Sequence, residues 1–399
     1  MNRLVLLAIT LISLLSGCEQ EIIPVRNITF DISGLSLNID SSAIITPVFE
    51  PEGAYDRVEW SSRSPHIASV DEYGKVTAHQ LGRTTITATV NNNIATCDVD
   101  VIPHIYSSGT KVVLDGTNVL YTVNEHTKVR ADQELNVYTA SGVSTGTMQV
   151  SYKVYKNGKV LYTLHNSTPN SDLTAFELID QNLYTVIDVH DIQSSSYSSS
   201  RVYKNGKLYH LFSVPYSDIS IKSVFADKGD VYCGGYIYDG RHTATIWKNK
   251  EVLYTLHNSP YSSWVKSIAT DGNDIYSLVC TNDLNRNNLY YVYKNDTPIF
   301  FTDKYTQCTN LIVKEGHYYL VLGTPAQITI FVDGVAGKIL DRSKLDKTAS
   351  LFLYESVLCG DDLYTLALCG LQPAIWRNQE IMYTFGKEYM YLESLYAVP

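Results

Sequence analysis

The phrase VLYTLHNS occurs twice in this chain, at 160–167 and again 92 residues later at 252–259. An exact repeat restricts the fold more than any composition figure, because a recurring unit must pack against copies of itself. Each copy belongs to a longer hairpin phrase, and that phrase recurs as VYKNGKVLYTL (154–164), VYKNGKLYHLF (202–212), IWKNKEVLYTL (246–256), VYKNDTPIFF (292–301), IFVDGVAGKIL (330–340) and IWRNQEIMYTF (375–385). Asn157-Gly158, Asn205-Gly206 and Asp333-Gly334 are type I′ turn dipeptides between alternating apolar strands. The remaining copies keep Asn and lose Gly, which a left-handed turn tolerates at some cost. A second marker runs in step: an aromatic after an Asp/Gly-rich turn, at Tyr138, Tyr184, Tyr232, Tyr276, Tyr319 and Tyr364, with intervals of 46, 48, 44, 43 and 45 residues. The duplicated phrase is therefore one outer strand written in two units, two periods apart.

Each unit holds four short strands; in one they read VKSIAT, DIYSLVC, LYYVYK and PIFFT. Four strands in forty-odd residues is the pattern of a β-propeller, whose sheets bury their faces only against neighbours. Six units run from about 126 to 386. The ends supply one more: YMYLESLYAVP (389–399) aligns with a first strand, and HIYSSGTKVVLDGTNVLYTV (104–123) with the other three. Pairing them closes the ring and removes exposed edges. The reading is seven blades over residues 103–399, with six or eight as alternatives.

The N-terminus, MNRLVLLAITLISLLSGCEQ, has Arg3, an apolar run too short to stay in a bilayer as a span, and Leu15-Ser16-Gly17-Cys18. It resembles the lipobox of bacterial lipoproteins. That resemblance implies a signal peptide at 1–17, lipidation of Cys18, a tether over 18–26, and an outer-membrane lipoprotein facing the cell surface or the periplasm. More than one acyl chain makes such anchoring stable. Glu19 and Glu21 resemble acidic surface-export signals. Six further cysteines (Cys97, Cys233, Cys280, Cys308, Cys359 and Cys369) mostly sit in apolar, strand-like runs without CxxC spacing. They read as buried small hydrophobes rather than a disulfide framework or a zinc site.

Residues 27–102 alternate in the manner of short strands between turn residues, as a β-sandwich does. The stretch VEWSSRSPHIASVDEYGKVTAHQLGRTTITAT is similar to the bacterial Ig-like group 2 family. The resemblance implies a spacer or adhesive module without chemistry, Trp60 as core anchor, Gly74 and Gly82 as turn glycines, and a family-typical cysteine at Cys97. The fold class is thus all-β, an Ig-like sandwich followed by a propeller.

Function is expected on the longer, variable connections of the repeat region. These are 188–201, 214–218, 238–242, 258–264, 282–288 and 302–307, and they carry Tyr216, Tyr238, Arg241, His242, Tyr261, Trp264 and Tyr305 as candidate ligand contacts, with Tyr197, Asn285 and Arg286 nearby. Flat rings beside guanidinium and amide donors suit a glycan or a loop of a surface protein. The net charge of −10 argues against nucleic acid. Asp188, His190 and Asp191 form a cluster that reads as a polar loop rather than a metal or acid–base site. His165 and His257 occupy equivalent places in two units. No catalytic motif, metal site or cofactor is indicated, and the balance is against an enzyme. A carbohydrate-active enzyme (glycosidase or lyase) stays open because such rings gather residues from separate blades, as does a scaffold with no small ligand.

Overall fold

The computed structural model describes residues 23–399, apart from 124–126, 145–149, 166–169, 192–196, 216, 257–260, 284–286, 343–344 and 347–348. The described elements are β-strands and one short 3-10 turn at Lys387–Tyr389. The chain divides between Pro103 and His104 into two compact units.

In the first unit, Gly82–Val90 pairs with Asn93–Ile102 on one side and Glu59–Ser62 on the other, and Gly34–Asn38 joins Asn93–Ile102 in parallel. Ser42–Ile44, Lys75–Ala78 and Ala68–Val70 form a second sheet. Strict alternation makes this possible: Thr84, Ile86, Ala88 and Val90 all point inward from one strand. Ile45, Val76, Ile86, Cys97 and Val99 form the core between the sheets. Trp60 is half-buried and stacks on Phe30, ring centroids 5.7 Å apart. Gly74 holds φ +78°, and a Cβ there would lie 2.8 Å from the Trp60 ring. Gly82, expected in a turn, instead opens the long strand.

Among the described residues the second unit contains seven sheets. Segments 127–165, 170–212, 219–256, 263–302 and 351–384 each fold into four antiparallel strands in chain order. Segment 307–339 does the same with its first strand split into Gln307–Cys308 and Ile312–Lys314. The seventh sheet joins the two ends of this unit: Ser394–Val398 pairs with His104–Ser108, in register from His104↔Val398 to Ser108↔Ser394, and Lys111–Leu114 and Asn118–Thr122 complete it. First strands pack against first strands. Thr127–Ala131 lies against Asn170–Ile179, that strand against Ile219–Asp227, and that against Ser263–Asp271. Ser263–Asp271 contacts Ile312–Lys314, which contacts Leu351–Cys359; Ser394–Val398 touches both Leu351–Cys359 and Thr127–Ala131.

The two sequence markers belong to one local device. In every one of the seven sheets an Asn or Asp with positive φ heads the turn before the last strand: Asp115, Asn157, Asn205, Asn249, Asn295, Asp333 and Asn378. Its side-chain oxygen accepts the backbone N–H that opens the second strand, as Asn249 does from Val231 at 2.9 Å and Asn295 from Ile275 at 3.0 Å. Its own N–H donates to the carbonyl of that same residue. Asn survives where Gly is lost because this side chain satisfies a strand-end donor. The preceding lysine lies over the marker tyrosine in four sheets: Lys156 over Tyr138, Lys204 over Tyr184, Lys248 over Tyr232 and Lys294 over Tyr276, at 5.4–5.5 Å. The tyrosine of LYTL joins sheet to sheet. The Tyr162 ring sits so close beneath the next turn that a Cβ on Gly206 (φ +79°) would lie 2.9 Å from it. Tyr121 occupies the same place under Gly158, and Tyr383 under Gly116.

Candidate binding cavity

Four of the first strands carry a β-bulge at the same place. The register slips between Leu173 and Ala175, Ile221 and Ser223, Val265 and Ser267, and Leu353 and Glu355. The extra residues are Thr174, Lys222, Lys266 and Tyr354, and Asn310 sits in the break of the split strand. A bulge re-aims one side chain without ending the strand. All five line a single cavity of about 840 Å³, together with Lys128, Arg130, Glu177, Glu355 and Trp264. The signal was present in the sequence as a polar or bulky residue interrupting an apolar strand in step with the period, in IKS and VKS. It escaped notice because attention to the connections passes over strand interiors.

Arg130 organises one wall. Its Nε and Nη2 donate to the two oxygens of Glu177, both at 2.8 Å, and Nη2 also donates to Glu355 at 2.9 Å. The second oxygen of Glu355 accepts from the Ser394 hydroxyl and the Leu395 N–H, each at 2.9 Å. Burial alone would lower the Arg130 pKa, but Glu177 and Glu355 reverse the sign and hold it above its ordinary value. Four sheets meet at this cluster. The oxygens of both carboxylates accept charge-assisted or neutral hydrogen bonds, and the pair clamps Arg130.

Lys222 reaches Asp188 at 3.2 Å. Asp188 is fully buried and accepts from the hydroxyls of Ser200 and Ser220. The expectation of a polar loop at Asp188, His190 and Asp191 is therefore corrected: these residues end the strand Asn182–Asp191, and Asp188 is an interior acceptor between two sheets. Burial lowers the Lys128 pKa, opposed by Glu355, and its ammonium donates to the Thr174 carbonyl at 3.2 Å. Elsewhere on the lining Lys266 donates to the carbonyl and, at 3.3 Å, to the sulfur of Cys308. The described cysteines are all buried thiols.

Of the residues expected to touch a ligand, the structure separates two groups. Tyr238, Arg241 and His242 lie together at a tight connection, with His242 tilted on Tyr236 at 4.3 Å and edge-on to Tyr238 at 5.5 Å. Tyr238 and Arg241 are exposed, and burial lowers the His242 pKa against the pull of Asp218. Trp264 is not in a loop: it belongs to the strand Ser263–Asp271, half-buried on the cavity wall. Tyr305 packs edge-on against Phe331 at 5.4 Å, so it supports the core. Tyr261 is half-buried, and Tyr216 and Cys18 lie outside the described residues. Among the described residues no cluster of three or more His, Cys, Asp or Glu could hold a metal ion.

The family model for the bacterial Ig-like domain (group 2) matches residues 24–99. The N-terminal unit is such a domain. The model covers the first unit's sheets and ends just short of the last residues of Asn93–Ile102, so the Ig-like domain and the repeat unit are separate modules. No curated protein matches the chain. Among solved structures, a chain in the crystal structure of a Mitotic Checkpoint Complex aligns with a TM-score of 0.43 and 14% identity, over 68% of this chain and 83% of that one. A likeness that slight has no bearing on function.

Proposed function

We propose that this is a surface or adhesion-type protein of the cell envelope whose repeat unit is a seven-bladed β-propeller that binds a glycan in its central cavity. The Ig-like domain serves as a spacer or adhesive module. The observation that carries the reading is the lining of the cavity. Trp264 offers an aromatic face, while Lys222, Lys266, Asn310 and Ser356 from four different sheets supply donors and acceptors around it. A sugar needs that combination, apolar faces to stack on and dispersed polar groups for its hydroxyls. The test is glycan-array screening followed by calorimetry on the purified chain. Trp264→Ala should weaken binding roughly tenfold or more, about the value of one lost aromatic contact, and Trp264→Phe should retain most of it. An array with no retained glycan, or equal affinity for the Trp264→Ala protein, sinks the reading.

The exposed Tyr238, Arg241 and neighbouring His242 favour a second reading, docking of a partner protein, since such side chains are enriched at interface centres. Substituting Tyr238 and Arg241 by alanine separates the two, leaving glycan affinity unchanged if the cavity is the site. Attachment to the outer membrane through lipid at Cys18 is part of the proposal. Cys18→Ser should move the protein from the detergent-extracted membrane fraction to the soluble one; unchanged fractionation would count against the anchor.

A further inference from the structure

Lys266 is half-buried on the cavity wall, and its ammonium donates to the carbonyl and the sulfur of Cys308. An ammonium drawn partly out of water gains from a counter-charge, and the group that can supply one here is the Cys308 sulfur. Cys280 and Tyr290 complete the cluster. Cys280 lies between Trp264 and Tyr290 in the register of its own sheet and belongs to the same buried cluster as Cys308 of the neighbouring sheet. Cys308 and Cys280 are 3% and 4% exposed, yet both line the cavity, so a small molecule inside it reaches their sulfurs.

The two thiols are driven apart. Burial would raise Cys308, but the Cys280 S–H and the Lys266 ammonium outweigh it and hold Cys308 below the ordinary thiol range. Interaction with Cys308 pushes Cys280 the other way, reinforced by burial. Burial alone pushes Cys233 up to about 12, and burial, opposed by Lys314, raises Cys359 to about 11.

We propose that Cys308 and Cys280 form a peroxide-reactive dithiol site on the cavity wall, with Cys308 as nucleophile and Cys280 as resolving thiol. The oxidant is a small hydroperoxide. The Cys308 thiolate attacks one peroxide oxygen, the O–O bond breaks, and the departing hydroxide or alkoxide takes a proton from Lys266. Cys308 is then a sulfenic acid. The Cys280 sulfur attacks it, the S–O bond breaks, and the Cys280 proton leaves with the hydroxyl as water. The pair has lost two electrons to the peroxide and now joins two sheets as a disulfide. Oxidation also removes the counter-charge of Lys266.

The test uses the full chain, reduced, freed of reductant and treated with hydrogen peroxide, with peptide mass mapping as readout. A Cys280–Cys308 crosslink should form roughly tenfold or more faster than oxidation of Cys233 or Cys359, since thiolate fraction outweighs the lower nucleophilicity of an acidic thiol. In Cys280→Ser, a dimedone probe should capture the sulfenic acid at Cys308. Lys266→Met should slow the first step by a similar factor, and Lys266→Arg should restore part of it. Oxidation of Cys308 no faster than that of Cys233, or absence of both the crosslink and the dimedone adduct, overturns the proposal. Neither result depends on whether the cavity binds a glycan.

Discussion

Arg130 shows how much a single side chain can hold in this fold. It is 5% exposed and ties strands that are distant in sequence through Glu177, Glu355 and Ser394. Removing one member of a buried ion network leaves the other charges uncompensated, at a cost of about 3–5 kcal/mol. Arg130→Ala should therefore lower the urea-unfolding free energy by about that amount, whereas Arg130→Lys, which keeps the charge but loses the two-pronged bond, should fall between. A loss within error of zero would mean that the carboxylates are solvated and the network is incidental. None of this was legible beforehand. Arg130 reads as one more polar residue in TKVRA, and its importance comes from neighbours 47 and 225 residues away.

At the level of the element, the turn and the marker tyrosine were both readable, and their connection was not. The Asn or Asp of each hairpin adopts the left-handed conformation and at the same time closes the start of the second strand. Asn249→Ala should cost about 1–3 kcal/mol, the usual cost of leaving a buried N–H of this kind unpaired, plus backbone strain. Lys250 tells the opposite story. It holds φ +80° without a compensating bond in the turn, so Lys250→Gly should raise stability by about 1 kcal/mol. Thermal unfolding of the two variants should move in opposite directions; movement in the same direction would refute the division of labour between the two turn positions. The candidate site divided along similar lines. Tyr238, Arg241 and His242 were found because they sit at a turn, while Lys222 and Lys266 were passed over because a bulge, and not a loop, aims them.

For the whole molecule, the pairing of Ser394–Val398 with His104–Ser108 has the greatest consequence. That strand covers an edge, and its Ser394 and Leu395 bond to Glu355 while Ser394 also accepts from the Val129 N–H. Deleting residues 394–399 should expose His104–Ser108 as an unpaired edge and remove a wall of the cavity. Size-exclusion chromatography should then show self-association, and chemical unfolding should broaden. A truncated protein that stays monomeric and unfolds as sharply as the parent would show that the end strand is dispensable, and the closed-ring proposal would fail with it.

The sequence alone determined what depends on nearest neighbours along the chain. Alternation set the strands, Asn-Gly and Asp-Gly set the hairpins, the spacing of tyrosines set the unit, and the similarity of residues around Trp60 marked the Ig-like domain. It also foretold that the two ends would share a sheet, because each end alone is an incomplete copy of the unit. Tertiary structure decided the rest: that Asp188 is an interior acceptor, that Trp264 faces a cavity, that bulged residues from separate sheets converge, and that Lys266 meets Cys308. A repeat dictates its own internal geometry, but the cavity is lined by residues drawn from separate copies. Their chemistry is a property of the assembly and is written in no single stretch of chain.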